Sequence, residues 1–134
     1  MKASGKNVSN RKKREKDNVL EKTRDIASDL SRLGSFDEIL EYLITYVTQT
    51  LEAERGSLFL HDPAAHQLYT RVALGNLSRE IRIDEQSGIA GWVFMNAEAT
   101  IVNSPYKDER FNKEVDERTG YQTKSIISVP IFST

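Results

Sequence analysis

The chain has 134 residues, a net charge of −1 and no cysteine. This length suits one domain of ordinary size. The lack of cysteine excludes disulfides, thiol catalysis, thiolate metal sites and thioether-linked pigments. No apolar run approaches the ~18 residues that a membrane-spanning helix needs, so the sequence predicts no membrane span and a cytoplasmic location.

The first 18 residues are basic and have few apolar side chains to bury. They hold seven lysines and arginines and two acidic residues, so 7 − 2 = +5 of charge falls here and −6 on the rest. We interpret residues 1–18 as a disordered tail that grades into a helix. The cluster from Arg11 to Arg14 fits a contact with nucleic acid or anionic lipid, or a solvated helix entrance, and the second role is the commoner one. Because the remainder is acidic, nucleic acid is not an expected partner.

A narrow apolar seam predicts a helix over residues 19–34. Its members recur at steps of four and three residues, the a/d spacing of a coiled coil: Val19, Thr23, Ile26, Leu30 and Leu33. A seam this narrow suits another helix better than a sheet, so we expect a signalling helix through which two chains form a homodimer. After Gly34, Ser35 and Glu38 have the spacing of a capping box for a second helix.

The second helix carries a wider apolar stripe, of the kind that packs on a sheet: Phe36, Ile39, Leu40, Leu43, Ile44, Val47 and Leu51. Residues 55–62 and 67–73 alternate with period two on either side of a turn, which predicts a β-hairpin. Hairpins and segregated helices predict the α+β class, an antiparallel sheet with helices packed on one side. The other expected elements are a loop over 75–78, strands over 80–83, 99–102 and 125–131, and helices over 89–95 and 108–118, the last ended by Gly120.

The apolar strand over 125–131 ends close to Thr134. Such a strand normally lies inside a sheet, and a sheet that stopped here would leave an apolar edge open. We therefore expect the domain to continue, so that a domain over residues 35–134 is incomplete at its C-terminal end.

Chemistry-bearing residues are present, but they do not form a recognisable active site. His61 and His66 flank one hairpin turn, and a metal site shared with Asp62 would lack a third buried ligand. The serines have no histidine placed beside them by a motif. The carboxylates of residues 108–117 lie in one charged run, which is typical of a solvated helix face. The sequence therefore predicts no metal site and no enzyme activity.

The segment from Gly88 to Gly91 favours a binding pocket. Amides at the start of a helix lack intrahelical partners and are polarised to receive an anion. Hydroxyls of Thr119, Thr123 and Ser125 lie near the Gly120 turn. An equally physical interpretation makes the apolar residues core and the threonines caps, and the residues alone leave both open.

From Phe36 to Phe132 the sequence resembles the GAF family of small-molecule regulatory domains, most closely those of cyclic-nucleotide phosphodiesterases and bacterial adenylyl cyclases. The family fold is an antiparallel sheet of about six strands with helices on one side and a ligand pocket on the other, a GAF/PAS-like arrangement. The resemblance rests on spaced blocks in the family's order: RGSLFLHD at 55–62, EIRI at 80–83, GIAGWV at 88–93, FNKEVD at 111–116 and TGYQTKSIISVPI at 119–131.

This resemblance implies a set of ligand-binding residues. In the family's cyclic-nucleotide binders a serine of the first strand lies near the base, an Ile-Ala pair cradles the phosphate, and an aspartate and two threonines belong to the lid. The matching residues are Ser57, Ile89, Ala90, Asp116, Thr119 and Thr123. A Phe-Asp pair that contacts the base in the phosphodiesterase domains is replaced by Ala73-Leu74. The family's Asn-Lys…Phe…Asp-Glu signature would lie beyond Thr134, and the cysteine that holds a bilin is absent.

The sequence is thus interpreted as a small-molecule-sensing regulatory domain of a signal-transduction protein. The candidate ligand is a cyclic nucleotide, and no other cofactor is expected. The ligand state would pass through the dimerising helix to a fused or associated output domain such as a cyclase, phosphodiesterase or kinase. The alternative is a ligand-free dimerisation or interaction module. A third hypothesis is a reductase of the same fold. It is weaker because those enzymes depend on cysteines, and this chain has none.

Overall fold

The structure, a computed structural model, describes residues 4–74 and 80–132. The predicted loop over 75–78 lies outside these ranges, and Ala73 and Leu74 are described as backbone only. The chain divides into two compact units, Met1–Leu43 and Ile44–Thr134. The elements in chain order are α1 Ser4–Leu30, α2 Phe36–Thr50, β1 Gly56–Asp62, β2 Gln67–Leu74, β3 Arg82–Asp84, α3 Gly88–Asn96, β4 Thr100–Val102, a 3₁₀ turn Pro105–Lys107, α4 Glu114–Thr119 and β5 Ile126–Ser128.

Helix α1 begins at Ser4, although the sequence predicted a disordered tail over residues 1–18 and a helix from residue 19. Lysine, arginine and glutamate have good helix propensity, and an Arg11–Glu15 pair at 3.3 Å adds one turn-to-turn contact. Local propensity therefore extends the helix without burial. The seam residue Val19 is 62% exposed, and pairing of two chains through this seam stays a prediction.

The capping box at the start of α2 is confirmed. The amide of Glu38 donates to Ser35 Oγ at 3.2 Å, and the amide of Ser35 donates to Glu38 Oε2 at 3.0 Å. The amide of Gly34 reaches the same carboxylate oxygen at 2.9 Å. Tyr42 of α2 donates to Asp29 of α1 at 2.7 Å, which holds the two helices together in the first unit.

The predicted antiparallel strands form two small sheets among the described residues. Strands β1, β2 and β3 make a three-stranded sheet in sequence order, and β4 pairs with β5. A register shift between Leu58 and Phe59 places a bulge in β1. Gly56 lets α2 approach the start of β1, because a Cβ there would collide with the side chain of Thr48. The α+β class and the β1–β2 hairpin are confirmed.

A small apolar cluster lies between α3 and the second sheet. Ile89 and Val93 of α3 and Val102 of β4 are at most 5% exposed. Phe111 and Ile126, each partly buried, pack against them. Packing of this kind fixes where α3 begins, and the start of α3 is the predicted phosphate site.

Three alternate apolar residues of the strand predicted over 125–131 are exposed to solvent. Ile127 is 56% exposed, Val129 60% and Ile131 77%, while the neighbouring Ile126 faces the core. The strand itself is also shorter than expected, Ile126–Ser128. An apolar face of this extent is typical of a surface that another element or chain covers. No helix in the described part of the chain is long and apolar enough to cross a membrane.

Candidate ligand-binding site

Asp116 on α4 is the most strongly connected of the predicted site residues. It is 6% exposed, and its carboxylate accepts three hydrogen bonds. The hydroxyl of Thr123 donates to Oδ1, and the amide of Thr123 and the hydroxyl of Tyr106 donate to Oδ2, all at 2.7 Å. A buried carboxylate needs such donors, because burial without partners costs several kcal/mol. Two other parts of the chain, at Tyr106 and Thr123, are thereby tied to this one side chain.

The ionisation of Asp116 follows from these contacts. Burial raises its pKa, but the hydrogen bonds from Thr123 and Tyr106 and the positive charge of Arg55 outweigh burial. The net effect places the pKa of Asp116 below its ordinary value, so the group is an anion at neutral pH. Its hydrogen bond in turn raises the pKa of the Tyr106 hydroxyl, with burial adding to the shift.

The local sequence explains why Asp116 and Thr123 meet. The side chain of Asn112 accepts the amide of Glu114 at 2.9 Å and starts α4. Gly120, at φ 66°, ends the helix in the left-handed conformation and turns the chain back toward Asp116. The predicted stop at Gly120 is confirmed, but the helix starts at Glu114 rather than at residue 108. The cause is a tight turn in which Asp108 accepts the backbone amide of Arg110 at 2.9 Å.

Thr119 has a different environment from Thr123. Its hydroxyl donates to the carbonyl of Val115 at 2.8 Å, one turn back on the same helix, and the side chain is exposed. A hydroxyl bonded in this way is satisfied by its own backbone. Thr119 must therefore rotate before it can donate a hydrogen bond to a ligand.

The start of α3 offers amides rather than side chains. The Ile89 side chain is 5% exposed within the apolar cluster, and Ala90 is half-buried. Gly88 has φ 71°, and a Cβ on Gly91 would lie 2.6 Å from the backbone of Gln86, so both glycines are needed for this tight entry. Because the first amides of a helix have no intrahelical acceptor, they remain available for an anion.

The entry to α3 is joined to the segment before α4. Ser87 does not cap the helix with its side chain; its hydroxyl accepts a hydrogen bond from Asn112 at 2.9 Å. A shallow cleft of about 450 Å³ opens beside this junction. It is lined by Gln86, Gly88, Trp92, Met95, Asn96, Glu109 and Arg110, and by none of the six predicted ligand residues.

Ser57 lies on the exposed side of β1, in register with Ala73 of β2. The charge of Arg55, two residues earlier, helps to lower the pKa of Asp116. Thr123 donates directly to Asp116. Among the described residues, no hydrogen bond joins Ser57 or Ala90 to that pair.

Two further residues of the Asp116 site, Tyr106 and Arg55, were not predicted from the sequence. Tyr106 reaches Asp116 from the 3₁₀ turn, ten residues earlier in the chain. The guanidinium carbon of Arg55 lies 3.7 Å from the centre of the Tyr121 ring, and the Tyr121 hydroxyl donates to Glu54 at 2.8 Å. The sequence signals were slight, namely one tyrosine after a proline and one arginine directly before a strand.

The model of the GAF domain family matches residues 35–134. This chain belongs to the GAF domain family. A probable 3',5'-cyclic phosphodiesterase, pde-5, from Caenorhabditis elegans is 35% identical over 126 residues, which are 85% of this chain and 17% of that protein. A cGMP-specific 3',5'-cyclic phosphodiesterase from Drosophila pseudoobscura pseudoobscura is 32% identical over 126 residues, 84% of this chain and 11% of that protein. The chain thus spans less than a fifth of the length of either relative.

A solved structure agrees with the fold. The GAF domain from a phosphoenolpyruvate-protein phosphotransferase of Coxiella burnetii superposes with a TM-score of 0.77 at 18% identity, over 87% of this chain and 70% of that one. At this identity the likeness shows the fold alone. It confirms the predicted GAF fold. The family match and the phosphodiesterase relatives support the assignment of the chain as a regulatory domain of a signalling protein.

Proposed function

We propose that this GAF domain senses a cyclic nucleotide and does not itself catalyse a reaction. The observation that carries the proposal is the Asp116 network, which ties Tyr106 and Thr123 together around one ionised carboxylate. The segment over residues 106–123 would act as a lid that orders over the ligand. Two of the relatives are named as enzymes acting on 3',5'-cyclic nucleotides, and the homologous segment is a small part of each.

In this proposal the phosphate binds at the amides of Ile89 and Ala90. The helix dipole favours an anion there by about 0.3–1 kcal/mol. Each amide hydrogen bond to a charged oxygen adds about 1.5–3 kcal/mol. Ser57 would approach the base, and Thr119 would turn its hydroxyl from Val115 toward the ligand.

Asp116 would work mainly as a latch. An ionised carboxylate offers about four lone-pair sites, and three are taken by Thr123 and Tyr106. One site remains for a donor from the ligand. The residue therefore holds the lid closed while adding at most one contact of its own.

Titration calorimetry with cyclic AMP and cyclic GMP tests this function. We expect saturable binding to the wild-type chain and a loss of affinity of tenfold or more in Thr123→Val, which removes a hydroxyl bonded to Asp116. Glu117→Gln is the matched control, since Glu117 lies on the same helix and is exposed. Absence of saturable binding of either nucleotide at millimolar concentration contradicts the proposal.

The ligand signal would leave the domain through α1, which we propose dimerises along the Val19–Leu33 seam in the cytoplasm. Ile26→Lys together with Leu30→Lys should give monomers by light scattering, because two charges would enter the apolar seam. Ser28→Lys adds a charge off the seam on an exposed position and should leave the dimer intact. A wild-type monomer at micromolar concentration would show that the seam packs within one chain.

A ligand-free interaction module is the second candidate. The observation in its favour is that Asp116 and Thr119 are both satisfied by protein groups, so that the lid is held without a ligand. A wild-type chain that dimerises but binds neither nucleotide would establish this second function.

A further inference from the structure

Arg55 is a half-buried cation placed among the proposed ligand residues. It directly precedes β1 and stands two residues before Ser57. Its guanidinium lies over the ring of Tyr121 in the lid, with 3.7 Å between the guanidinium carbon and the ring centre. Its charge also lowers the pKa of Asp116, after burial and the hydrogen bonds of Thr123 and Tyr106. One side chain thus links the first strand to the lid.

The guanidinium has no carboxylate partner among the residues that the structure describes. Glu54 accepts from the Tyr121 hydroxyl at 2.8 Å, Asp116 accepts from Thr123 and Tyr106, and neither carboxylate forms an ion pair with Arg55 in the described part of the chain. Stacking on a ring engages the face of a guanidinium and leaves its N–H edge free to donate. Arg55 therefore brings a fork of donors to the lid, and no acceptor is assigned to it among the described residues.

We propose that Arg55 recognises the O6 and N7 edge of a guanine base and makes this domain selective for cyclic GMP over cyclic AMP. The inference rests on the proposed function, in which the phosphate binds at α3 and the base lies near Ser57. A guanidinium fork pairs with the two acceptors O6 and N7 of guanine. Adenine carries an amino donor in place of O6 and offers a single acceptor, N7.

The position of the phosphate decides between a base contact and a phosphate contact. The amides of α3 already supply an anion site, and a cyclic nucleotide has one phosphate. Ser57, near which the base would lie, follows Arg55 by two residues in the chain. The free donors of Arg55 are therefore assigned to the base.

Calorimetric titration of three cyclic nucleotides tests the proposal. Cyclic GMP, cyclic IMP and cyclic AMP are compared, because cyclic IMP keeps O6 and N7 but lacks the guanine amino group. Wild type should bind cyclic GMP and cyclic IMP about 5- to 150-fold more tightly than cyclic AMP, the discrimination expected of one bidentate pair. In Arg55→Gln the advantage over cyclic AMP should fall to within about twofold.

Two variants distinguish recognition of guanine by the guanidinium fork of Arg55 from an effect of its charge or of its packing. Arg55→Lys keeps the positive charge but not the fork, and its affinities for cyclic GMP and cyclic IMP should fall to within about twofold of that for cyclic AMP. Arg118→Gln makes the same charge change as Arg55→Gln, but on an arginine whose side chain is 70% exposed and pairs with Glu114. It should keep the full preference.

The outcomes distinguish this inference from the function on which it rests. Equal losses for all three nucleotides in Arg55→Gln would assign Arg55 to the phosphate or to lid packing and overturn the guanine readout. Wild-type binding of cyclic AMP as tight as that of cyclic GMP would overturn it as well, while the sensing function would stand. A wild-type chain that binds none of the three would overturn both.

Discussion

Two partly buried carboxylates, Asp116 and Glu85, are held by different kinds of donor. Asp116 accepts from a threonine hydroxyl, a backbone amide and a tyrosine hydroxyl. Glu85, whose side chain is 17% exposed, lies between two imidazoles: His61 Nε2 is 2.7 Å from Oε2, and His66 Nδ1 is 3.2 Å from Oε1. The donors at Asp116 are two hydroxyls and a backbone amide, whereas the partners of Glu85 are imidazole nitrogens.

We call the contacts of Asp116 with Thr123 and Tyr106 the Asp116 corner, and those of Glu85 with His61 and His66 the Glu85 corner. The difference matters because each corner holds a different part of the proposed site. Asp116 fixes the lid. The Glu85 corner fixes the entry to α3: the Glu85 amide donates to the His66 carbonyl at 3.0 Å, and the His61 ring lies 4.4 Å from that of Phe94 on α3. The lid and the entry to α3 are therefore held by separate carboxylates. The partner that the two histidines share is Glu85, not the Asp62 considered from sequence.

The largest expected effect comes from breaking the Asp116 corner. Asp116→Asn replaces one acceptor oxygen with a donor that faces donors, which leaves a buried polar group unpaired. We expect a loss of about 1–3 kcal/mol in the free energy of unfolding, measured by urea denaturation. Glu117→Gln removes the same charge at an exposed position of α4 and should change stability by less than about 0.5 kcal/mol. Equal stability of both variants and wild type would show that the network does not hold the lid.

Breaking the Glu85 corner should have a smaller effect. Glu85→Gln keeps one acceptor for an imidazole but loses the charge and the second acceptor. The hydrogen bond from His61 is the main cause that lowers the pKa of Glu85, so the corner favours the anion. We expect a lower urea midpoint at pH 7, with a shift smaller than in Asp116→Asn. Glu98→Gln is the matched control on the exposed turn after α3. A shift as large in this control would contradict a stabilising role of the contacts between Glu85 and the two histidines.

Local signals in the sequence predicted the local parts of this structure. The Ser35–Glu38 spacing, the alternating pattern of the hairpin and the stop at Gly120 each depend on neighbouring residues, and all three are confirmed. The family blocks predicted the fold, because they are spaced along most of the domain.

The contacts that define the two corners could not be predicted in the same way. Glu85 lies 24 residues from His61, and Tyr106 lies ten residues from Asp116 across a turn. Such pairs depend on how the strands and turns pack, and no periodicity encodes them. The exposure of Ile127 and its neighbours likewise depends on what covers the second sheet, which a pattern of alternation leaves open.

The smallest expected effect is a difference in response between two amide protons. When both histidines are replaced by glutamine, the NMR signal of the Glu85 amide should move, because its acceptor is the backbone carbonyl of His66 and its own carboxylate contacts both imidazoles. The signal of the Thr123 amide, which donates to Asp116, should stay in place.

The sign of the response below pH 5 follows from the carboxylates. The pKa values of Asp116 and Glu85 are both lowered in the folded chain, so each stabilises the fold above its ordinary pKa and loses that contribution as the pH falls through the folded value. The Thr123 signal should therefore move with pH only below the ordinary pKa of an aspartate. Movement of the Thr123 amide in the variant without the two histidines would mean that the two corners are coupled.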